Sequence, residues 1–385
     1  MSFFDFKIAE DRKKDIKACF GNPEIGQRDV YLFGAGVYAD RLKKYLESKS
    51  VCAGIEVKGL VVDDSFVDKV KYANVLPLSK LGTLNNVCLI YALGGGYSKS
   101  FFQKIKQVQK EMEKCKNSSF VVPSDFWMAE VGFPSHEVID PVFLKEHFDD
   151  FKQTYEMLVD DLSKKVMSEY LYACICHDAS KLADLGSGWD FDYDLGLLFD
   201  KCGEGVVIEC GAFDGKTIAE CSTFTKNKYE MLALECDNDN YEKCCEKVRN
   251  FPNIKVVKFG AWDKTAKLAI VQKDSASYLK EIEDDSEYEN IVEVVDVDSL
   301  VGSKRVAALI MDIEGSELNA LKGAQNAIKG GANLAVRVYH KKEDLITIPQ
   351  YIKSLNSAYK FYLRFERGAN LCRTGDETTL YAICE

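Results

Sequence analysis

The sequence predicts an α/β protein with two doubly wound domains joined by a helical linker. Three observations lead there. At 385 residues the chain is long for a single α/β domain. Strand-length apolar runs alternate with helically spaced segments near the start and again through the last half. Between them the pattern changes: Pro134 and Pro141 interrupt it, residues 141–172 carry apolar side chains at helical spacing, and Leu185-Gly186-Ser187-Gly188 ends the stretch. The boundaries that follow are 1–125, 126–203 and 204–385.

In the first domain, strands are expected at 29–33, 58–62, 87–92 and 119–122, with helices at 37–48 and 98–114. The second has strands at 206–210, 231–235, 254–259, 307–311 and 334–339 and helices at 216–225, 240–249 and 316–328. A further strand at 267–272 precedes the acidic stretch 281–289, read as an exposed loop or short helix. Residues 359–365 and 378–384 read as a closing antiparallel pair.

Composition narrows the function. Hydrophobic residues make up 46% and charged residues 29%, enough for a sizeable core. Fifty Lys and Arg against 61 Asp and Glu give a net charge of −11, which argues against broad nucleic-acid or anionic-membrane binding. The opening residues interleave charge with apolar side chains, so neither a secretory signal nor a membrane anchor is expected, and the protein is expected in the cytoplasm. Fourteen cysteines include no CxxC pair; Cys174, Cys176 and His177 lack a second ligand pair at zinc spacing, and no metal site is assigned.

The chemistry concentrates in four strand ends of the second domain. Glu209-Cys210-Gly211-Ala212-Phe213-Asp214-Gly215-Lys216-Thr217 follows a strand and opens a helix, where glycine lets backbone approach a ligand. Tight strand-to-helix turns use glycine for structural reasons too. Glu235 ends the next strand roughly twenty residues on, where doubly wound nucleotide sites place an acid for the ribose hydroxyls. Gly260 and Ala261, followed by Trp262, offer a small-residue bed for a flat base. Asp312 and Glu314 close the fourth strand, able to orient an acceptor or to help hold a divalent cation. His340, after the fifth, has an ordinary pKa near neutrality and is the candidate general base, or else packs beside Tyr339. Arg337, Arg364 and Arg367 suit a phosphate or serve as ion-pair partners.

These motifs together resemble the FkbM family of S-adenosylmethionine-dependent methyltransferases. The likeness lies in Asp312-Ile313-Glu314-Gly315-Ser316-Glu317 with Leu321-Lys322-Gly323-Ala324, in Val338-Tyr339-His340-Lys341-Lys342-Glu343-Asp344-Leu345, and in Glu377-Thr378-Thr379-Leu380-Tyr381-Ala382-Ile383. It covers about residues 204–385; Met311 stands where the family usually has Lys. The resemblance implies a class I methyltransferase fold, S-adenosyl-L-methionine as cofactor and O-methylation of a sugar, nucleotide sugar or other small hydroxylated molecule. It also implies cofactor-site positions at Gly211, Asp214, Glu235 and Asp312.

The first domain has its own Rossmann-like turn. Gly34-Ala35-Gly36-Val37-Tyr38-Ala39 matches GxGxxA between strand and helix, and Asp63 ends the next strand. It resembles nucleotide-binding modules found beside sugar-modifying enzymes. Gly94-Gly95-Gly96 would open the same crevice. Two other readings stay open: an NAD-dependent oxidoreductase working through this crevice, and a non-catalytic adaptor built from two nucleotide folds.

Overall fold

The computed structural model describes residues 28–48, 55–93, 99–121, 137, 139–176, 182, 185–186, 193–273, 276–281, 290–366 and 378–384. Two units emerge: the first draws on residues within 1–143 and 168–189, the second on residues within 144–167, 190–367 and 377–385. The Gly94-Gly95-Gly96 run, His177, Arg367 and most of the acidic stretch lie outside the described residues.

The first unit contains β1 (Asp29–Phe33), α1 (Val37–Glu47), β2 (Val57–Val62), β3 (Val75–Pro77), β4 (Val87–Tyr91), α2 (Lys99–Met112) and β5 (Ser119–Val121). Its sheet runs β3-β2-β1-β4-β5 with every pairing parallel. That is the strand order of a doubly wound nucleotide fold. Leu32, Leu42, Leu46, Leu60 and Ile90 form part of its core. The sequence hid β3: it is three residues long at a sheet edge and ends in Pro77, which an edge strand tolerates.

Helices α3 (Pro141–Glu146), α4 (Phe148–Met157), α5 (Asp161–Cys176) and α6 (Leu195–Phe199) follow. The second unit then alternates β6 (Val206–Cys210), α7 (Lys216–Phe224), β7 (Glu230–Leu234), α8 (Asn238–Val248) and β8 (Ile254–Val257). A small sheet follows, of β9 (Gly260–Ala261), β10 (Ala266–Lys273), β11 (Ala276–Glu281) and β12 (Ile291–Val295), in the order β11-β10-β12-β9. The chain then returns through α9 (Val297–Val301), β13 (Val306–Met311), α10 (Glu317–Lys322), α11 (Gln325–Lys329), β14 (Asn333–Arg337), α12 (Asp344–Leu355), β15 (Tyr359–Phe365) and β16 (Thr378–Cys384).

The main sheet runs β15-β16-β14-β13-β6-β7-β8. Its inner strands pair in parallel, and β16 runs antiparallel to both β14 and β15. β6, β13 and β14 are buried along their whole length, as strands covered on both faces must be, and their sequences are mostly apolar, with Glu209 in β6 and Asn333 and Arg337 at the ends of β14 as the polar exceptions. The sheet order reverses between β6 and β13, so the loops after their carboxyl ends open a crevice where doubly wound folds bind ligands. Asp237 caps α8 by accepting from Asn240 N, and Asp296 caps α9 by accepting from Ser299 N.

Three elements differ from expectation for local reasons. The strand expected to reach Phe259 stops at Val257, where Phe259 N donates to the Val257 carbonyl and turns the chain toward the small sheet. The single helix expected over 316–328 is two helices broken at Gly323. A Cβ there would stand 2.0 Å from the Trp262 carbonyl, so the helix pauses where the small sheet's entry strand crosses it. Helix α12 forms despite Pro349 in its middle, with Leu345, Ile348 and Ile352 buried.

The close approach at Gly323 makes a test of the packing. Gly323→Ala should destabilise the protein by about 1–3 kcal/mol, the usual cost of forcing an atom into filled space. A lowered Tm in calorimetry or circular dichroism checks this; an unchanged Tm would mean the two segments separate freely.

Candidate active site

The site grows from the carboxyl ends of β6, β7, β13 and β14. At the end of β6 the chain turns through Gly211 at φ +83, where a Cβ would lie 2.1 Å from the Asp312 carbonyl. Only glycine permits this contact, so the first loop lies against the loop after β13. Gly211 N and Ala212 N both donate to the Leu234 carbonyl, at 3.0 and 2.9 Å, tying the same turn to β7. Phe213 then takes φ +48 and stands 61% exposed. Gly215 caps α7 at φ +78, its Cα facing Cys244, and Thr217 sits half-buried in that helix's first turn.

Glu235 braces this loop. Its Oε2 accepts from Phe213 N and its Oε1 from Asp237 N, each at 2.8 Å. Burial pushes its carboxyl pKa up, opposed by those backbone bonds. Asp214 accepts from Lys216 N at 3.0 Å and stands 3.5 Å from Lys247 Nζ. Glu209 is buried within β6, its Oε2 without a hydrogen-bond partner; burial, then the nearby Asp312 charge, hold its pKa well above the usual carboxylate range.

Asp312 and Glu314 are brought together with His340, as the sequence suggested. His340 Nε2 lies 3.4 Å from Asp312 Oδ1 and 3.9 Å from Glu314 Oε2. Its other nitrogen, Nδ1, lies 2.7 Å from Oε1 of Glu317, whose side chain is completely buried. Asp312 and Glu314 keep side-chain exposures of 36% and 50%, so the cluster is open on their side. Arg337, buried beneath, places Nε 3.5 Å from Asp312 Oδ2, donates to Thr379 Oγ1 at 2.7 Å and lies over the Tyr193 ring. Ile313 N donates to Glu317 Oε1 at 2.9 Å, which pins the loop between the two acids to the start of α10.

This environment corrects the reading of His340 as a base poised at neutral pH. Burial alone would lower its pKa, but Glu317, then Asp312 and Glu314, outweigh burial and raise it to about 10. The imidazole already holds its proton at neutral pH and is not free to take another. Glu317 is held below its ordinary value by the same pairing, against its burial. Nearby Asp344, buried and facing Glu317, is pushed up to about 8, while its Oδ2 accepts from Lys341 N. Sequence reasoning did not single out Glu317, Asp344 or the Asp312 contact of Arg337. Glu317 and Asp344 did stand inside the quoted motifs, and an acid five residues after a strand-end acid was the available sign.

The remaining candidates fall elsewhere. Gly260 and Ala261 form β9 and pair with β12, and Trp262 packs with Leu268 and Val294 in the small sheet's core. The bed expected for a flat base is thus a packing element, because β8 ends before it. Arg364 is held by Asp160, Ser163 and Asp194. In the first unit, Gly34 takes φ +132 against the Ala92 carbonyl, whereas Gly36 has open space around it. Asp63 pairs with Lys104 at the edge of a cavity of about 480 Å³ that also includes Asp64, Ser65 and Ser79. Its carboxylate is therefore partly engaged within the protein.

Comparison with known proteins places these loops. The model of the Methyltransferase FkbM domain matches residues 209–359, from Glu209 in β6 to the first residue of β15. A crystal structure of Methyltransferase FkbM from Methylobacillus flagellatus superposes with TM-score 0.62 at 19% identity, covering 96% of this chain and 93% of that one. It shows that the fold is shared along nearly the whole chain. An rRNA methylase from Streptococcus thermophilus matches at TM-score 0.32 and 13% identity over 50% of this chain and 94% of its own. A SAM-dependent methyltransferase from Aquifex aeolicus does so at 0.29 and 12%, over 50% and 90%. No curated protein sequence matches the chain.

The Glu317–His340 pair sets a pH signature. A raised histidine pKa contributes stability that is complete below its ordinary value of about 6.5 and is lost as pH rises through about 10. Unfolding of the ligand-free protein should therefore become easier across that window. Glu317→Gln should cost about 3–5 kcal/mol at neutral pH, by stranding a buried charge, and should flatten the alkaline loss. Equal stability of variant and parent at neutral pH would contradict the pairing.

Proposed function

We propose that the second unit, whose residues 209–359 match the Methyltransferase FkbM domain, takes S-adenosylmethionine as methyl donor and methylates a hydroxyl of a small, hydroxyl-rich acceptor, a sugar or nucleotide sugar. The donor's chemistry is a methyl carbon already activated by a positively charged sulfur, so the protein's contribution is chiefly placement. The residues present fit that donor. Gly211 brings backbone to the crevice without a side chain in the way, the exposed Phe213 offers an apolar face beside it, and Glu235 ends β7 where ribose hydroxyls would be received.

The observation that carries the acceptor class is the pair of half-exposed carboxylates, Asp312 and Glu314, beside that loop. Carboxylates accept hydrogen bonds only, so they select donors, and a polyhydroxylated ring presents several. The same charges repel the phosphates of a nucleic acid, in keeping with the chain's net charge of −11. Asp312 and Glu314 thus orient the acceptor oxygen toward the donor. His340 and Arg337 hold the Asp312 carboxylate in place from beneath.

Calorimetry should show S-adenosylhomocysteine binding, weakened by about 1–3 kcal/mol in Glu235→Ala as the loop brace and its acceptor are lost. With isotopically labelled S-adenosylmethionine and a panel of sugars and nucleotide sugars, the label should appear on oxygen by mass spectrometry. Failure to bind the donor would sink the reading, and label found on nitrogen would change the acceptor class.

A further inference from the structure

We propose that His340, Asp312 and Glu314 hold a divalent metal ion at the open side of the methyl-transfer site, with Glu317 as the residue that orients the histidine. The proposal rests on the hydroxyl-methylation reading for the metal's role, but not for its binding. Three geometric facts support it.

First, the donor atoms are spaced for one ion. A metal bound at about 2.0–2.2 Å to nitrogen and oxygen separates neighbouring donors by roughly 3–4 Å. His340 Nε2 stands 3.4 Å from Asp312 Oδ1 and 3.9 Å from Glu314 Oε2. Asp312 and His340 also belong, with Glu317, to a cluster in which one ligand atom from each lies within 4.8 Å of the others, and Glu314 approaches that cluster through His340 Nε2 alone.

Second, the histidine is held as metal-binding histidines are held. A buried carboxylate on one ring nitrogen fixes the ring and leaves the other nitrogen directed at the ion, which binds there by displacing to water the proton that His340 keeps in the metal-free protein. Glu317 is completely buried, lies 2.7 Å from Nδ1, and is itself locked by Ile313 N. Asp312 is set in the same way: Arg337 stands beside Oδ2, so Oδ1 is the oxygen turned toward His340 Nε2.

Third, the cluster is closed beneath and open above. His340 and Glu317 are buried, whereas Asp312 and Glu314 reach the surface of the crevice. An ion there would keep coordination positions for water and for an acceptor oxygen. A cation supplies what the carboxylates lack, a positive charge that draws the hydroxyl oxygen and eases loss of its proton to water. Two carboxylates and open positions for water suit manganese, whose preferred donors are oxygens, and manganese is the probe used below.

The test uses the full chain, dialysed against chelator and then titrated with manganese. Free manganese is followed by electron paramagnetic resonance, and S-adenosylhomocysteine binding is measured by calorimetry on the same sample. One manganese per chain is expected. Asp312→Asn and Glu314→Gln, both conservative changes at half-exposed positions, should weaken it at least about tenfold. Glu317→Gln, which removes only the orienting charge, should weaken it about 10–100-fold. Should Glu317→Gln fail to fold, as its melting curve would report, Glu314→Gln and Asp312→Asn decide the matter. No manganese binding, or equal binding by parent and both variants, overturns the proposal. Retained S-adenosylhomocysteine binding in that case leaves the methyltransferase reading standing; manganese binding without S-adenosylhomocysteine binding would leave the metal site standing alone.

Discussion

The site depends on one contact that has no room for a side chain. The Asp312 carbonyl occupies the space where a Cβ on residue 211 would be, at 2.1 Å. Strands β6 and β13 are neighbours in the sheet, and Asp312 N donates to the Cys210 carbonyl at 3.2 Å. The glycine loop is thereby held against the acids that follow β13. The two loops adjoin because the sheet order reverses between these strands, and the proposed donor and acceptor positions thereby share one crevice. Any larger residue at 211 must part them.

Electrostatics then decides what each acid can do. Glu209, Glu317 and Asp344 are buried, and they meet burial differently. Burial and the nearby Asp312 charge push Glu209 well above the usual carboxylate range, and burial with the Glu317 charge pushes Asp344 up to about 8. Glu317 keeps its charge because His340 lies against it. Asp312 and Glu314 keep side-chain exposures of 36% and 50%, and on the proposed reading they are the groups that meet the acceptor. His340 acts from below as their fixed cation or, with metal, as a ligand. Its pairing with Glu317, which outweighs burial, is what distinguishes that role from the proton acceptor its residue type suggested.

Much of this was legible in the residues. The apolar runs of β6, β13 and β14 announce a sheet covered on both faces, and the glycine turn and strand-end acids mark the crevice between them. What escaped was set by tertiary contact. Gly323 reads as a residue inside a helix until the Trp262 carbonyl is seen beside it. Trp262, next to a strand end in sequence, is drawn into the small sheet's core. The pairing of Glu317 with His340 joins residues on different elements, and no local pattern encodes it. Likewise Asp63 looks like a free ribose acceptor until Lys104 of α2 is placed beside it.

A crystal structure of the protein with S-adenosylhomocysteine bound tests the central claim most directly, that the turn after β6 and the acids after β13 form one methyl-transfer site. The account predicts ligand density along the Gly211–Gly215 turn, with ribose oxygens near Glu235 and the sulfur facing Asp312. Density away from that turn, or a sulfur directed away from Asp312 and Glu314, would contradict it.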